Sequence, residues 1–147
     1  GVFLERNEAI FERFCSAQAV FESSRHVYRR EHKPGQVRRF FNVSFTSFEL
    51  RRHMMSFYFL KGHFTITELV KASEFSRPTV NSTVNDALEL GFIEEIKILK
   101  DRRCRNFRPT NPMLEAWQNY CSALLTKPEF VNAFKLAQTL MLLEDIK

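Results

Sequence analysis

Apolar residues recur at three- and four-residue spacing over most of this chain, which predicts a mainly helical protein. From residue 3 to about 30, Ile10, Phe14, Ala17, Phe21 and Tyr28 trace one stripe, interrupted by Ser24 and widened by Phe11 and Val20. That is one long helix, whose stripe lies on the chain's own core or meets, in part, a second subunit. The pattern breaks at Glu31-His32-Lys33-Pro34-Gly35, a turn. A helix beginning at Thr46 or Ser47 turns Phe48, Leu50, Met54, Phe57 and Tyr58 inward and ends at Lys61-Gly62-His63. After Pro112 come a helix carrying Leu114, Trp117, Cys121, Leu124 and Leu125, a break at Lys127-Pro128, and a last helix from about Glu129 to Leu143. The last helix is apolar on two sides, Phe130, Phe134, Ala137 and Met141 on one and Leu136, Leu140 and Leu143 on the other. Such a helix needs to be surrounded. The terminal helices, 3–30 and 112–144, are therefore expected to form an interface between two copies.

The middle of the chain, Phe64 to Pro112, has a different texture. Thr65 to Thr67 alternates like the end of a short strand, running from Phe64 to Ile66, and Thr67 is expected to cap a short helix over Glu68–Glu74. Ser76 is a good N-cap, because its hydroxyl accepts an orphan amide proton of the first turn. Pro78 fits that first turn, where its missing N–H removes nothing. Phe75 and Val80 have the spacing of a hydrophobic staple. Val80, Val84, Ala87 and Leu88 make an apolar stripe, and Gly91 stops the helix in a left-handed conformation. Two β-prone runs follow, Phe92 to Ile98 and Arg105 to Thr110, joined by Leu99-Lys100-Asp101-Arg102-Arg103. Helix, tight turn, helix and basic hairpin are the layout of a winged helix-turn-helix.

The same residues carry a family resemblance. The stretch resembles the MarR family of bacterial transcriptional regulators, whose recognition helix opens on the pattern seen here as Ser76-Arg77-Pro78-Thr79-Val80. The family's step into its wing is similar to Glu89-Leu90-Gly91-Phe92-Ile93-Glu94, and its D-R-R signature to Asp101-Arg102-Arg103, with Thr110 following the next strand. The resemblance implies a mainly α (α+β) fold with a small three-stranded sheet, in which the short strand at 64–66 pairs with the wing. It implies one domain over 1–147, with a winged-helix core at 44–111 and dimerisation helices at 3–30 and 112–144. It also implies a homodimer that binds double-stranded DNA at a near-palindromic operator. In the family a small-molecule effector or an oxidant changes the spacing of the two recognition helices, and the sequence does not say whether this chain has such an effector. In the family the Asp of the wing orients the Arg two residues on, so Asp101 would hold Arg103. Two departures stand out: Ser82 and Asn85 occupy positions where the family commonly has a basic residue and an Asp, and Ile98 and Leu99 replace polar residues near the wing tip.

Chemistry agrees with that implication. With Val80, Val84 and Leu88 inward, the second helix of the motif, 76–90, turns Pro78, Thr79, Ser82, Asn85, Asp86 and Glu89 outward. Its N-terminal end, with Ser76, Arg77, Thr79, Asn81 and Ser82, is the end that helix-turn-helix proteins set against base edges. Hydroxyls and amides donate or accept there, and the helix terminus favours a phosphate. On the wing, 92–110, Arg102, Arg103 and Arg105 are cations of the kind that a narrow minor groove attracts. Asp86 and Glu89 would repel phosphates they faced. The alternative is a winged-helix module that docks protein and does not read DNA.

A net charge of +5 and a pI near 9.3 favour an anionic partner without naming one. The basic run from Arg25 to Arg39 is either a solvated face or a further neighbour of phosphates. Four glycines among 147 residues argue against an all-β or Gly-loop nucleotide-binding fold, and 16 phenylalanines suggest extensive helix packing. There is no run of about 18 apolar residues, so no membrane span is expected, and Glu5, Arg6 and Glu8 interrupt any signal peptide. The opening Gly points to a trimmed or tagged start. Cys15, Cys104 and Cys121 are an odd, scattered set that suits a reducing cytoplasm. His26, His32, His53 and His63 lack partners at metal-ligand spacing, and no phosphate loop or nucleophile elbow is present, so neither a metal, a cofactor nor an enzymatic role is expected. A peroxide-sensing branch of the family uses a Cys near the place of Cys15. Its apolar neighbours Phe11, Phe14 and Ala19 would raise a thiol's pKa, so packing is the expected role of Cys15.

Overall fold

The predicted long first helix is α1 (Val2–Glu31), the first of ten elements among the described residues of a computed structural model. Residues 2–31, 35–100 and 103–145 are described. Many side chains at the two ends lie outside the description, among them Ile10, Phe11, Phe14, Leu136, Ala137, Leu140, Met141 and Leu143. The order continues α2 (Gln36–Phe41), α3 (Phe45–Lys61), β1 (Phe64–Thr65), α4 (Ile66–Ser73), α5 (Arg77–Glu89), β2 (Ile93–Ile96), β3 (Asn106–Pro109), α6 (Asn111–Leu125) and α7 (Pro128–Asp145). The chain divides into two compact units, one of residues 34–117 and one of residues 1–33 with 118–147.

The first unit holds the helix-turn-helix and its wing. Ser44 is extended and its hydroxyl accepts the Ser47 N–H at 3.1 Å, so α3 starts at Phe45, earlier than the expected Thr46 or Ser47. Helix α4 also starts early, and Thr65, not Thr67, is its cap. Thr65 Oγ1 accepts the Glu68 N–H at 3.1 Å while the Glu68 carboxylate accepts the Thr65 N–H at 3.0 Å, a reciprocal capping box. That box draws Ile66 into the helix and shortens β1 to two residues. Helix α4 closes on Glu74 in the left-handed region (φ 62°). The sheet order is β1-β3-β2, antiparallel throughout, with Phe64 opposite Phe107 and Glu94 opposite Arg108. Phe41, Leu50, Met54, Phe64, Leu69, Val80, Val84, Phe107 and Met113 lose all their exposure beneath it. Helix α2, which the sequence reading passes over, supplies Val37 and Phe41 to this core.

One charge sits inside that core. Arg51 is only 4% exposed, and its guanidinium carbon lies 5.8, 5.6 and 5.1 Å from the ring centres of Phe41, Phe48 and Trp117. Aromatic faces carry negative charge and so offset part of the cost of removing a guanidinium from water.

In the second unit the described part of the α1 stripe faces the unit's own helices. Phe21 meets Phe130 edge-on at 4.8 Å, Tyr28 meets Tyr120 at 5.0 Å, and Ala17 and Ser24 are buried. Glu31 pairs with Lys127. Leu124 is buried, and Leu125 beside it is 57% exposed. One expectation fails here. Cys15 is exposed and does not pack within the chain, since it points away from the Ala17–Phe21–Ser24 side of α1.

Candidate nucleic-acid interface

Local chemistry builds α5 almost completely. Ser76 is extended, its hydroxyl accepts the Thr79 N–H at 3.3 Å, and the two hydroxyls lie 2.8 Å apart. Pro78 occupies the first turn, and Phe75 packs half-buried on the core. Val80, Thr83, Val84 and Ala87 are buried. At the other end Phe92 N–H bonds Ala87 C=O at 2.9 Å and Gly91 N–H bonds Leu88 C=O at 3.1 Å, with Gly91 at φ 79°. This is a Schellman ending, and the left-handed residue is the glycine the sequence supplies for it.

The outward face of α5 is set by this seat. Arg77, Pro78, Ser82, Asn85, Asp86 and Glu89 are exposed, while Thr79 and Asn81 are half-buried. Arg77 reaches back to α4, where its Nη2 donates to Thr67 Oγ1 at 3.2 Å. A shallow groove separates α5 from the start of α3. Its lining is Ser44, Thr46, Ser47, Pro78, Thr79, Ser82 and Thr83, nearly all hydroxyl-bearing. The α3 side of the groove is absent from the sequence reading. Three Ser/Thr residues at a helix start are its only sequence signal, and they read equally well as caps.

The wing presents its cations less openly than the sequence suggests. Arg105 donates to both carboxylate oxygens of Glu95, at 3.1 and 3.0 Å, and lies over the Phe107 ring. The hydrogen bonds from Arg105 hold the Glu95 carboxyl below the usual glutamate range, and the same bonds raise Arg105. Arg108 is paired with Glu94 directly across the strands. Arg103 is exposed, and Leu99 at the tip is 83% exposed. Asp101 and Arg102 lie outside the described residues, and with them the expected hold of Asp101 on Arg103.

Two contacts that the sequence does not disclose fasten the wing. Thr110 donates its hydroxyl to Gly91 C=O at 2.6 Å and its N–H to Phe92 C=O at 2.9 Å, which ties the end of β3 to the end of α5. Asn106, 1% exposed, donates through Nδ2 to Cys104 C=O at 3.1 Å, so its Oδ1 is the acceptor for His63 Nδ1 at 3.1 Å. A buried amide with both ends satisfied fixes where the hairpin leaves the sheet. The site thus brings the α5 residues onto one face and places Arg103 and Arg105 on the hairpin beside it.

No family model and no curated protein sequence matches the chain. Solved structures do. Transcriptional regulator PA4135 aligns over 99% of this chain and 92% of its own, with TM-score 0.54 and 16% identity. NadR, solved in complex with 4-hydroxyphenylacetate, aligns over 98% of this chain and 85% of its own, with TM-score 0.55 and 12% identity. AbfR in a disulfide-formed state aligns over 98% and 93%, with TM-score 0.52 and 12% identity. Likeness at these identities speaks for the fold alone, and the fold of this chain is a MarR-like winged helix.

Proposed function

We propose that this chain is a DNA-binding transcriptional regulator, a homodimer that reads a near-palindromic operator with α5 and its wing. The observation that carries the reading is the outward face of α5. A capped, core-seated helix presents hydroxyls and amides from its N-terminal half, next to a three-stranded sheet with a basic hairpin. Polar groups that are rigidly held but unneeded by the fold are what base readout uses. The wing adds Arg103 as an exposed cation near its tip. A dimer, built from α1, α6 and α7, would cover Leu125 and Phe134, which are 57% and 46% exposed. It would set two α5 helices about one helical turn of DNA apart. A small acid or phenol that alters that spacing is the effector class suggested by the ligand in NadR.

The test is a salt titration of binding to selected and scrambled duplexes. Arg103→Ala should weaken binding to most sequences and reduce the slope of log K against log salt by about 0.9 for one lost phosphate contact. Light scattering should report twice the 17.4 kDa chain mass, and a single-chain mass would sink the dimer. The second reading, a protein-docking winged helix, is favoured by the pairing of Arg105 and Arg108 with Glu95 and Glu94 and by the exposed Asp86 and Glu89. No binding to any duplex at low salt would leave that reading in place.

A further inference from the structure

We infer that the outward face of α5 selects A·T base pairs, an inference that rests on the DNA-reading assignment above. The argument is a census of what that face offers. In the major groove guanine is read chiefly by arginine or lysine, through its paired O6 and N7 acceptors, whereas adenine is read by asparagine or glutamine. Among the residues of α5 only Arg77 is a cation, and its guanidinium is drawn back to Thr67 of α4. It stands at the first helical position, where contact with a phosphate is the natural use. Beyond it the face carries Asn81 and Asn85, one turn apart and on the same side of the helix, with Ser82 exposed between them. Each asparagine amide carries a donor and an acceptor side by side, the complement of adenine N6–H and N7. The Thr79 methyl is the kind of group that meets a thymine methyl.

Asp86 and Glu89 could in principle accept from cytosine. Glu89 stands about 12 Å further along the helix axis than Asn81, away from the docking end, and Asp86, on the Ser82 side of the helix, brings a carboxylate that the flanking phosphates repel. The wing points the same way. Arg105 is held by Glu95 and Arg108 by Glu94, while Arg103, also exposed, stands nearest the tip of the described hairpin. Narrow A·T-rich minor grooves attract such a side chain.

The experiment uses the full chain and a random duplex pool, followed by inosine·cytosine replacement in the enriched sites. Inosine·cytosine keeps the major-groove pattern of G·C but, lacking the guanine amino group, the minor-groove pattern of A·T. Enriched half-sites should be A·T-rich. Replacement at pairs under α5 should weaken binding roughly tenfold each, and replacement at pairs under the wing should leave binding nearly unchanged. Asn85→Ala, at an exposed position, should remove the penalty at one pair, while Arg77→Ala should weaken all duplexes alike. Enrichment of G·C-rich sites, or indifference to inosine under α5, overturns the A·T inference and leaves the DNA-reading assignment standing. Failure to enrich any duplex overturns that assignment and this inference together.

Discussion

Helix α5 and the wing meet solvent side by side, yet they are held in place by opposite means. The helix is seated by apolar burial, with Val80, Val84 and Ala87 at no exposure, and is closed at both ends by bonds within its own segment. Of its outward polar groups, Ser76 and Thr79 belong to the cap and Arg77 reaches Thr67, while Ser82, Asn85, Asp86 and Glu89 lie beyond that seat. The wing buries less, and polar groups do more of the work. Glu94 and Glu95 hold Arg108 and Arg105, and Asn106 bridges His63 to the Cys104 carbonyl. A helix anchored by its core can change its outer face without changing its position. A hairpin that carries its ion pairs on its solvent face changes its outward charge whenever one partner is replaced. The two regions should therefore respond to mutation in different measurements, one in stability and sequence preference, the other in salt dependence.

The largest expected effect breaks the seat of α5. Leu69 is fully buried on α4, which packs against α5, so Leu69→Ala should cost about 2–5 kcal/mol in urea unfolding. A loss under about 1 kcal/mol would mean that the helix does not depend on this core. Next come the two closures. Ser76→Ala removes the hydroxyl that accepts the Thr79 amide and should cost about 1 kcal/mol. Gly91→Ala meets no neighbouring atom within 4 Å, so its cost comes from a left-handed backbone alone, roughly 1–2 kcal/mol. If Gly91→Ala were neutral in stability, the Schellman ending would not be what fixes the step into the wing.

The same contrast explains what is legible from sequence. The start, stripe and end of α5 each follow from residues within eight positions of one another, so cap, staple and glycine can be read directly. The start of α4 is ambiguous because Thr65 and Thr67 both carry a capping hydroxyl; only Glu68 three residues after Thr65 decides it. Helix α2 is hidden because a six-residue helix following Pro34-Gly35 is too short to show a period. The burial of Arg51 is hidden for another reason: a charge argues for the surface, and its three aromatic neighbours come from three different helices. The wing pairs depend on strand register, which no local signal reports. Asp101 and Arg102, read as wing residues, fall outside the described chain.

The smallest effect on the fold carries the sharpest information about the wing. Glu95→Gln keeps a hydrogen-bonding side chain opposite Arg105 but removes the negative charge. Both residues are exposed, with side chains 46% and 52% accessible, so the pair adds little to stability and the melting temperature should scarcely move. Binding should respond. Arg105 would then act as an uncompensated cation, and the slope of log K against log salt should steepen by up to about 0.9 if it meets a phosphate. Preference among duplexes should stay as it was, because no base-reading group has changed. The pH dependence gives an internal check. The folded-state pKa of Glu95 is depressed by Arg105, so its contribution is complete above the ordinary glutamate range and is lost only as pH falls through the depressed value. From about pH 8 to pH 6 the unmodified chain should keep one salt slope as far as this pair decides it. If Glu95→Gln leaves the slope where it was, Arg105 faces no phosphate, and the wing's share of binding rests on Arg103 and its neighbours at the tip.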